Sequence, residues 1–444
     1  MALATSGRSR VDELSLDNAS LSDTIGFLGQ VVVPTFAKGI IIRRPRILHA
    51  IAASGAEEHA LERMQGLREK YRADLLRLAS PGRAQILVLT APAAFAILDA
   101  TPAPFSTAAL EKRSALAHFE PQTSLLSRGV ARVERRALSD AVLESGERAH
   151  SLAPVMAKIV AEEIASLLAN RPELSWAPFR DIWSRITRRI VLGDGAGDDA
   201  ALTDALDRLR RRANWAFLKW TDKKGRAALH SRVGFHLRRA ETGSLAGVLG
   251  ATTVGPNAAP VDQVIQWLFA FDAAAIAIFR ALAVLASDQE LPQRANSSTD
   301  CSAAFFRNCI RESLRLWPTS PAILRETIEG VPVHAGLLPA HSDIIIYTPS
   351  LHRDESSVAK PHQFIPTRWD TLAANHQFLP FSGGPRTCPA HHLVPMLGGF
   401  ALAELLVRAD QVRGQHIDLR RLPATLDHTR LIFTTAPGSH AFAR

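Results

Sequence analysis

Cysteine is scarce in this chain of 444 residues, which contains only Cys301, Cys309 and Cys388. So few cysteines exclude a disulfide framework and favour a reducing compartment. No Cys/His cluster has the spacing of a zinc site. Repeats, low-complexity stretches and linkers rich in Gly, Ser or Pro are also absent. We therefore expect one large, mainly helical unit over residues 21–444, preceded by a flexible, polar N-terminus at residues 1–20.

Neither charge sign dominates, although the net charge is +9, with 47% hydrophobic and 21% charged residues. This balance is typical of a soluble globular protein with a large core. The positive excess fits an acidic protein partner, an anionic membrane or nucleic acid. Nucleic acid is disfavoured, because no binding motif occurs and the basic residues are dispersed. The short arginine runs at 135–136 and 210–212 are explained by helix surfaces.

The sequence has no long uninterrupted hydrophobic run near its N-terminus. Residues 24–42 are apolar, but Gln30, Pro34 and Lys38 interrupt them. The segment is too broken for a spanning helix and too far from the N-terminus for a simple signal peptide. It either packs on the body of the protein or seeks a membrane surface. We expect a cytoplasmic protein, with peripheral membrane association as the alternative.

Hydrophobic periodicity predicts most of the secondary structure. Helical patterns cover residues 57–78, 127–143, 152–250 and 261–286, and a strand is predicted over 84–89. The pattern is therefore mainly α, with small β-sheets.

The segment 381–390 reads Phe-Ser-Gly-Gly-Pro-Arg-Thr-Cys-Pro-Ala. Its cysteine, Cys388, follows a Gly-Pro turn and precedes an apolar, helix-like segment at 393–407. A thiol at the positive end of a helix dipole, on a stiff loop, is expected to favour the thiolate. Such a thiolate suits a soft, redox-active metal centre such as haem iron. The alternative is a buried structural cysteine.

This segment resembles the haem-thiolate loop of the cytochrome P450 family. Phe381, Gly384, Arg386 and Cys388 occupy the family's positions, and Ala390 stands where glycine is usual. The resemblance implies that Cys388 is the axial ligand of the iron. Phe381 would shield the sulfur, glycine at 384 would permit a turn that a side chain blocks, and Arg386 would pair with a haem propionate.

Three further motifs follow the order of the same family. Glu312 and Arg315 are three residues apart on a predicted helix, so they share a face. With Arg368, from the segment 364–369, they resemble the family's charged triad, whose implied role is structural. Arg325 and Arg135 take positions at which the family pairs arginines with the haem propionates. His391 and His392 are alternative axial ligands, but we place them on the downstream helix, pointing off the loop.

Asp272 lies in the middle of the long apolar helix predicted over 261–286. A buried carboxylate is costly unless it is used or paired. The resemblance makes Asp272 the catalytic acid above the haem. The alcohol that follows this acid in the family is replaced by Ala273, so protons for oxygen activation would come from water, Asp272 or the substrate.

The resemblance implies the mainly α cytochrome P450 fold, with small β-sheets. It implies a b-type haem, and no Cys-x-x-Cys-His occurs for covalent attachment. The implied function is monooxygenation of a small apolar substrate with O2. Electrons would come from a separate ferredoxin or flavoprotein reductase, since the chain has no flavin or nicotinamide fingerprint. Because of Ala273, a peroxide-using enzyme, or one that rearranges or dehydrates its substrate, is the alternative. A non-catalytic haem-binding protein is the second alternative.

Overall fold

A computed structural model describes residues 10–169, 171–288, 299–334, 336–371, 377–406, 409–413 and 417–435. Helices make up most of this part of the chain. In chain order they are α1 (Leu21–Phe27), α2 (Val33–Ala37), α3 (Pro45–Ala53), α4 (Ala56–Tyr71), α5 (Ala91–Asp99), α6 (Leu110–Leu116), α7 (Gly129–Val142), α8 (Ala153–Leu168), α9 (Trp176–Leu192), α10 (Ala200–Ala213), α11 (Lys223–Arg239), α12 (Leu245–Ala251), α13 (Pro260–Ser287), α14 (Thr299–Leu316), α15 (Thr348–His352) and α16 (Leu393–Leu406).

Short strands form three small sheets. They are β1 (Leu16–Asn18), β2 (Leu75–Arg77), β3 (Gln85–Val88), β4 (Phe105–Ser106), β5 (Glu173–Ser175), β6 (Ala322–Thr327), β7 (Val331–Val333), β8 (Gly336–Leu338), β9 (Asp343–Tyr347), β10 (Ala409–Arg413) and β11 (Ile432–Thr435). The largest sheet has the order β1-β2-β3-β9-β6-β4, and the others are β10-β11-β5 and β7-β8. The pairs β1–β2 and β3–β9 are parallel, and the other pairs are antiparallel. The prediction of a mainly helical protein with small sheets is confirmed.

The helix α13 forms the centre of the hydrophobic core. Pro260 is its first residue, where a missing N–H costs nothing, and apolar side chains then occupy nearly its whole circumference. Among the described residues it is the one helix long and apolar enough to cross a membrane by length and composition, yet 78% of its most apolar window is buried inside the protein. The helix therefore packs as the core of the fold.

The boundaries of the predicted elements hold where the periodicity is long. The helices predicted over 127–143 and 261–286 correspond to α7 and α13, and the strand over 84–89 corresponds to β3. The helix predicted over 57–78 is wrong at its end, because α4 stops at Tyr71 and the chain turns through Arg72 in the left-handed region. Residues 75–77 then pair as β2 in the large sheet.

The N-terminal segment is more ordered than its polar sequence indicates. Val11 is fully buried, and β1 pairs in parallel with β2, so the prediction of flexibility is wrong for residues 10–20, while residues 1–9 lie outside the described part of the chain. Residues 24–42 form α1, a π-helical turn (Leu28–Val32) and α2. Phe27 and Val31 are buried on one face, whereas Ile25 and Val33 are exposed on the other.

Candidate haem-thiolate site

The loop that carries Cys388 is held by its own backbone. The Cys388 N–H donates to the Phe381 carbonyl over 2.9 Å, which closes the loop. Gly384 has a φ of +63°, and a Cβ there would lie 2.3 Å from the Leu98 carbonyl oxygen on α5. Only glycine fits this combination of a left-handed backbone and a close approach. The sulfur is therefore carried on a turn that has little freedom to move.

The chemistry of the thiol differs from the expectation. Burial raises the pKa of Cys388, and the Ala390 backbone N–H lowers it by less. The expected effect of a helix dipole is absent, because α16 begins only at Leu393. Metal coordination deprotonates a thiol outright, so ligation, rather than the local helix, would produce the thiolate here.

The prediction that His391 and His392 lie on the downstream helix is wrong. His391 and His392 occupy the turn before α16, with their rings 4.0 Å apart. The His391 Nδ1 is 2.9 Å from the Cys388 carbonyl oxygen, so it contacts the loop backbone. Burial and then His391 lower the pKa of His392 to about 4, which keeps this imidazole neutral near pH 7.

Four cationic side chains gather beside the loop: Lys112 of α6, Arg132 of α7, Arg325 of β6 and Arg386. Lys112 donates to the Leu324 carbonyl over 3.0 Å. Arg325 donates to Thr101 Oγ1 over 3.3 Å and to Ser382 Oγ over 3.0 Å. Arg132 donates to Thr107 Oγ1 over 3.2 Å and to the Ser124 carbonyl over 2.5 Å. All of these acceptors are neutral.

The positive charge of this cluster favours the binding of an anion. Burial first, and then Arg386, lower the pKa of Arg132 to about 9 and that of Arg325 to about 10. Burial, and then Arg325, lower the pKa of Lys112 to about 7. The Nε atoms of Arg132 and Arg386 are buried without a partner. Buried cations need a counter-charge, and the two propionates of a haem would supply one. These residues fit the cofactor that the sequence predicts.

The arginines of α7 divide between two surroundings. Arg135 donates to the Asn257 carbonyl over 2.8 Å and to Ser127 Oγ over 2.6 Å, neither of which belongs to the Cys388 loop. Arg136 instead donates to the Thr387 carbonyl over 2.7 Å. Arg132, four residues earlier, shares that face. The propionate role of Arg135 stays a prediction, and Arg132 and Arg136 are the arginines that approach the loop.

Glu312, Arg315 and Arg368 meet in the interior, as their motifs predict. The Glu312 and Arg315 side chains have 0% exposure and form two hydrogen bonds of 2.8 and 2.9 Å. Arg368 Nε donates to Glu312 Oε1 over 3.0 Å, and Trp369 Nε1 donates to Oε2 over 2.9 Å. Arg315 also donates to the Pro361 carbonyl over 2.9 Å. This network connects residues 361–369 to α14.

A cavity of about 820 Å³ is lined by Asp272 and Ala273 of α13. Asp272 Oδ2 accepts from Arg210 Nη2 over 2.6 Å, and Arg210 Nη1 donates to Asp207 Oδ1 over 2.9 Å. Burial alone would lower the pKa of Arg210, but Asp272 and Asp207 raise it. Arg210 is 4% exposed, so its assignment to a helix surface is wrong.

Comparisons with known proteins agree with this geometry. Residues 297–408, which contain Glu312, Arg315, Arg368 and Cys388, match the family model described as cytochrome P450. Cucurbitadienol 11-hydroxylase of Siraitia grosvenorii is 38% identical over 90 residues, which cover 20% of this chain and 19% of that protein. Strychnine-11-hydroxylase of Strychnos nux-vomica is 33% identical over 112 residues, which cover 24% and 22%. The match thus spans about a fifth of the length of these relatives.

Solved structures show the same fold over most of the chain. Cytochrome P450SP alpha in complex with (R)-ibuprofen has a TM-score of 0.65 at 17% identity, covering 84% of this chain and 95% of that one. A variant of cytochrome P450 OleT in complex with arachidonic acid has a TM-score of 0.68 at 11% identity, covering 96% and 100%. The chain thus shares the fold of these cytochrome P450 structures, and its segment 297–408, which contains Glu312 and Cys388, matches the cytochrome P450 family model.

Proposed function

We propose that this protein is a b-type haem-thiolate monooxygenase that inserts one oxygen atom of O2 into an apolar organic substrate. The observation that carries the proposal is the position of Cys388, on a rigid loop beside buried cations whose hydrogen bonds go to neutral acceptors. The bound haem would supply the oxygen chemistry, in which a thiolate ligand favours O–O cleavage.

The residues around the cofactor would bind, orient and exclude water. Arg325, Arg386 and Arg132 would hold the propionates through charge-assisted hydrogen bonds. Arg135 would add a contact only if its bonds to Asn257 and Ser127 opened. Phe381 would keep water from the sulfur. These residues would position the haem, and they would not contact the reacting atoms.

Asp272 would pass protons from water toward the reacting oxygen. Its Oδ2 is fixed by Arg210, and its side chain is 26% exposed, toward the cavity that it lines. Ala273 offers no hydroxyl, but Thr319 and Ser320 line the same cavity. A water in that space would link the carboxylate to the substrate side.

The Cys388 assignment is tested by the spectrum of the reduced protein with carbon monoxide. We expect the red-shifted Soret band of thiolate ligation, lost in Cys388→Ala. Cys309→Ala is the matched control, because Cys309 is buried in the core and burial raises the pKa of its thiol well above the usual range. A histidine-type spectrum in the wild type, or an unchanged spectrum in Cys388→Ala, would refute the proposal.

A second candidate function is favoured by Ala273. Without an alcohol beside the acid, the enzyme would use peroxide in place of O2 and electrons, or would rearrange or dehydrate an oxygenated substrate. Ala273→Thr restores the hydroxyl, and Ala273→Val has the same shape without it. Product formed per reducing equivalent should rise only in Ala273→Thr if O2 is the oxidant. Turnover with peroxide alone, insensitive to either change, would support the second candidate.

For the electron source, we propose an acidic ferredoxin or flavoprotein. The net charge of +9 supports this choice. A groove of about 1140 Å³ runs beside the Cys388 loop, and Phe381, Arg311 and His391 are among its lining residues. Such a partner would dock at the basic edge of this groove, where Arg311 lies beside Arg307 and Arg148, whose charges add to burial in lowering its pKa. Charge-neutral substitution of Arg311 should slow electron transfer most at low salt.

We also propose peripheral contact with an anionic membrane. The loop between α10 and α11 exposes Leu218 by 78% and Trp220 by 91%, close to Lys219 and the start of α11. Exposed aromatic and apolar side chains with lysines are typical of interfacial binding. We expect co-sedimentation with phosphatidylglycerol vesicles, weaker with phosphatidylcholine and weakened further in a double variant, Leu218→Ser with Trp220→Ser. Equal sedimentation of the variant and the wild type would contradict this.

A further inference from the structure

The cavity next to Asp272 combines an apolar wall with an excess of positive charge. Among the described residues, eight arginines and lysines line it against two carboxylates, those of Asp207 and Asp272. Apolar lining comes from residues such as Ile41, Phe269 and Ile276. The cavity is therefore amphipathic, and the net charge of its lining residues is positive.

Both carboxylates are already engaged. Asp207 and Asp272 accept hydrogen bonds from Arg210, whose Nε is buried and has no partner. A single guanidinium thus uses the two acids on the cavity surface. In the described part of the chain, the other seven cationic side chains lining the cavity make no hydrogen bond to either of these acids, and Asp272 acts on Arg43 only through space.

Residues 40–47 form one wall of the cavity, which we call the N-terminal wall. Its arginines Arg43 and Arg44 bond to uncharged groups. Arg43 donates from Nη1 to the Gly39 carbonyl and from Nη2 to the Thr319 carbonyl, the latter over 2.5 Å. Arg44 donates to the Ala37 carbonyl over 3.1 Å, and its guanidinium lies 4.3 Å from the centre of the Trp215 ring. These partners are backbone carbonyls and a ring face, so neither arginine is hydrogen-bonded to a carboxylate of the described residues.

Two observations support a ligand for this charge. Burial, with Arg210 adding to it, lowers the pKa of Arg43 to about 10 even though Asp272 raises it. On the opposite wall, Arg212 donates to the Trp220 carbonyl over 2.8 Å, while its Nε is buried without a partner. Guanidinium groups bind carboxylates with charge-assisted, often paired hydrogen bonds.

We propose that this cavity binds substrates that carry a carboxylate on an apolar body. The carboxylate lies against Arg43 and Arg44, and the apolar body runs along α13 past Ile276 and Ala273. This inference rests on the proposed monooxygenase function and adds the class of its substrate.

The test compares dodecanoate with 1-dodecanol, which has the same chain and no charge. Calorimetric titration of the haem-loaded protein at pH 8 and low salt should give a dissociation constant about tenfold or more lower for dodecanoate. The preference should shrink as salt rises. In the double variant of Arg43→Gln and Arg44→Gln, the affinity for dodecanoate should fall about tenfold while that for 1-dodecanol stays unchanged, which also shows that the cavity is intact.

Arg420→Gln is the matched control, since Arg420 is exposed and lies outside the cavity; it should change neither affinity. Equal affinities of the wild type for the two compounds, or an equal loss of both in the double variant, would overturn the inference. The carbon monoxide spectrum separates the two levels. A thiolate spectrum without a preference for dodecanoate defeats the substrate class alone, whereas the absence of a thiolate spectrum defeats the proposed function.

Discussion

Arg210 on α10 and Asp272 on α13 form an ion pair with an Nη2–Oδ2 distance of 2.6 Å, although 62 residues separate them in the chain. The same guanidinium binds Asp207, three residues before it on α10. Arg210 thus joins α10 to α13 by binding one acid on each helix. Substituting each acid in turn therefore separates the effect of the ion pairs on stability from the effect of Asp272 on catalysis.

Asp272→Asn and Asp207→Asn each remove one negative charge from Arg210. Since both acids contact the same buried guanidinium, each change should lower the free energy of unfolding by about 1–3 kcal/mol. Only Asp272 lies beside Ala273 on α13, so only Asp272→Asn should reduce kcat. Urea unfolding and steady-state kinetics measure the two effects. Equal losses of kcat in both variants would show that Asp272 acts through the position of Arg210 alone.

Glu312→Gln should destabilise the protein in a pH-dependent way. Burial raises the pKa of Glu312, but the charge and hydrogen bonds of Arg315, followed by Arg368, lower it below its ordinary value of 4.5. A depressed folded-state pKa contributes stability above the unfolded-state pKa, and this contribution is lost as the pH falls through the folded-state pKa. The wild type should therefore exceed the variant by about 3–5 kcal/mol at pH 7 and lose this advantage below pH 4.5.

The measurement for Glu312 is urea unfolding of both proteins from pH 7 to pH 3. Glu355→Gln is its control, because Glu355 is an exposed acid that pairs with His362 and Arg421. This control should leave the unfolding free energy nearly unchanged. A difference between wild type and Glu312→Gln that does not vary with pH would contradict the ion-pair explanation.

Gly384→Ala should disrupt the cysteine loop, whereas Gly383→Ala should be tolerated. The first places a Cβ 2.3 Å from the Leu98 carbonyl oxygen at a φ of +63°, and the left-handed backbone alone costs about 1–2 kcal/mol. The second has an extended φ of −161°, and its Cβ would meet side-chain atoms at 3.2 and 3.4 Å. Haem content and melting temperature measure the effect. Similar values for the two variants would show that the loop adapts to a side chain.

Local patterns made part of this site predictable. The Gly-Pro turn before Cys388 and the spacing of Glu312 and Arg315 are properties of adjacent residues, and the structure gives them the geometry that such patterns favour. The long apolar run around Asp272 predicted α13 to within about two residues at each end. These features depend on short-range sterics and periodicity, which the sequence carries in full.

Long-range placement was not predictable in the same way. Arg210 reads as part of a surface run, and nothing in its neighbours indicates that Asp272 lies opposite. Arg132 was missed as a neighbour of the Cys388 loop, although its spacing of four from Arg136 was a usable signal. Lys112 joins the same cluster through the carbonyl of Leu324, 212 residues away. Such pairs depend on how helices cross, which a single sequence does not specify.

Hydrogen bonds join two walls of the amphipathic cavity, the N-terminal wall at residues 40–47 and the end of α10. Asn214, at the end of α10, accepts from the Ile41 N–H over 2.9 Å and donates to the Ile42 carbonyl over 2.7 Å, while Arg44 stacks on Trp215. We expect a ligand that enters between these two walls to break the Asn214 contacts first. Ligand capture should then be gated, with a rate that levels off at high ligand concentration. Weakening the Asn214 contacts should speed capture and release together, with little effect on Kd.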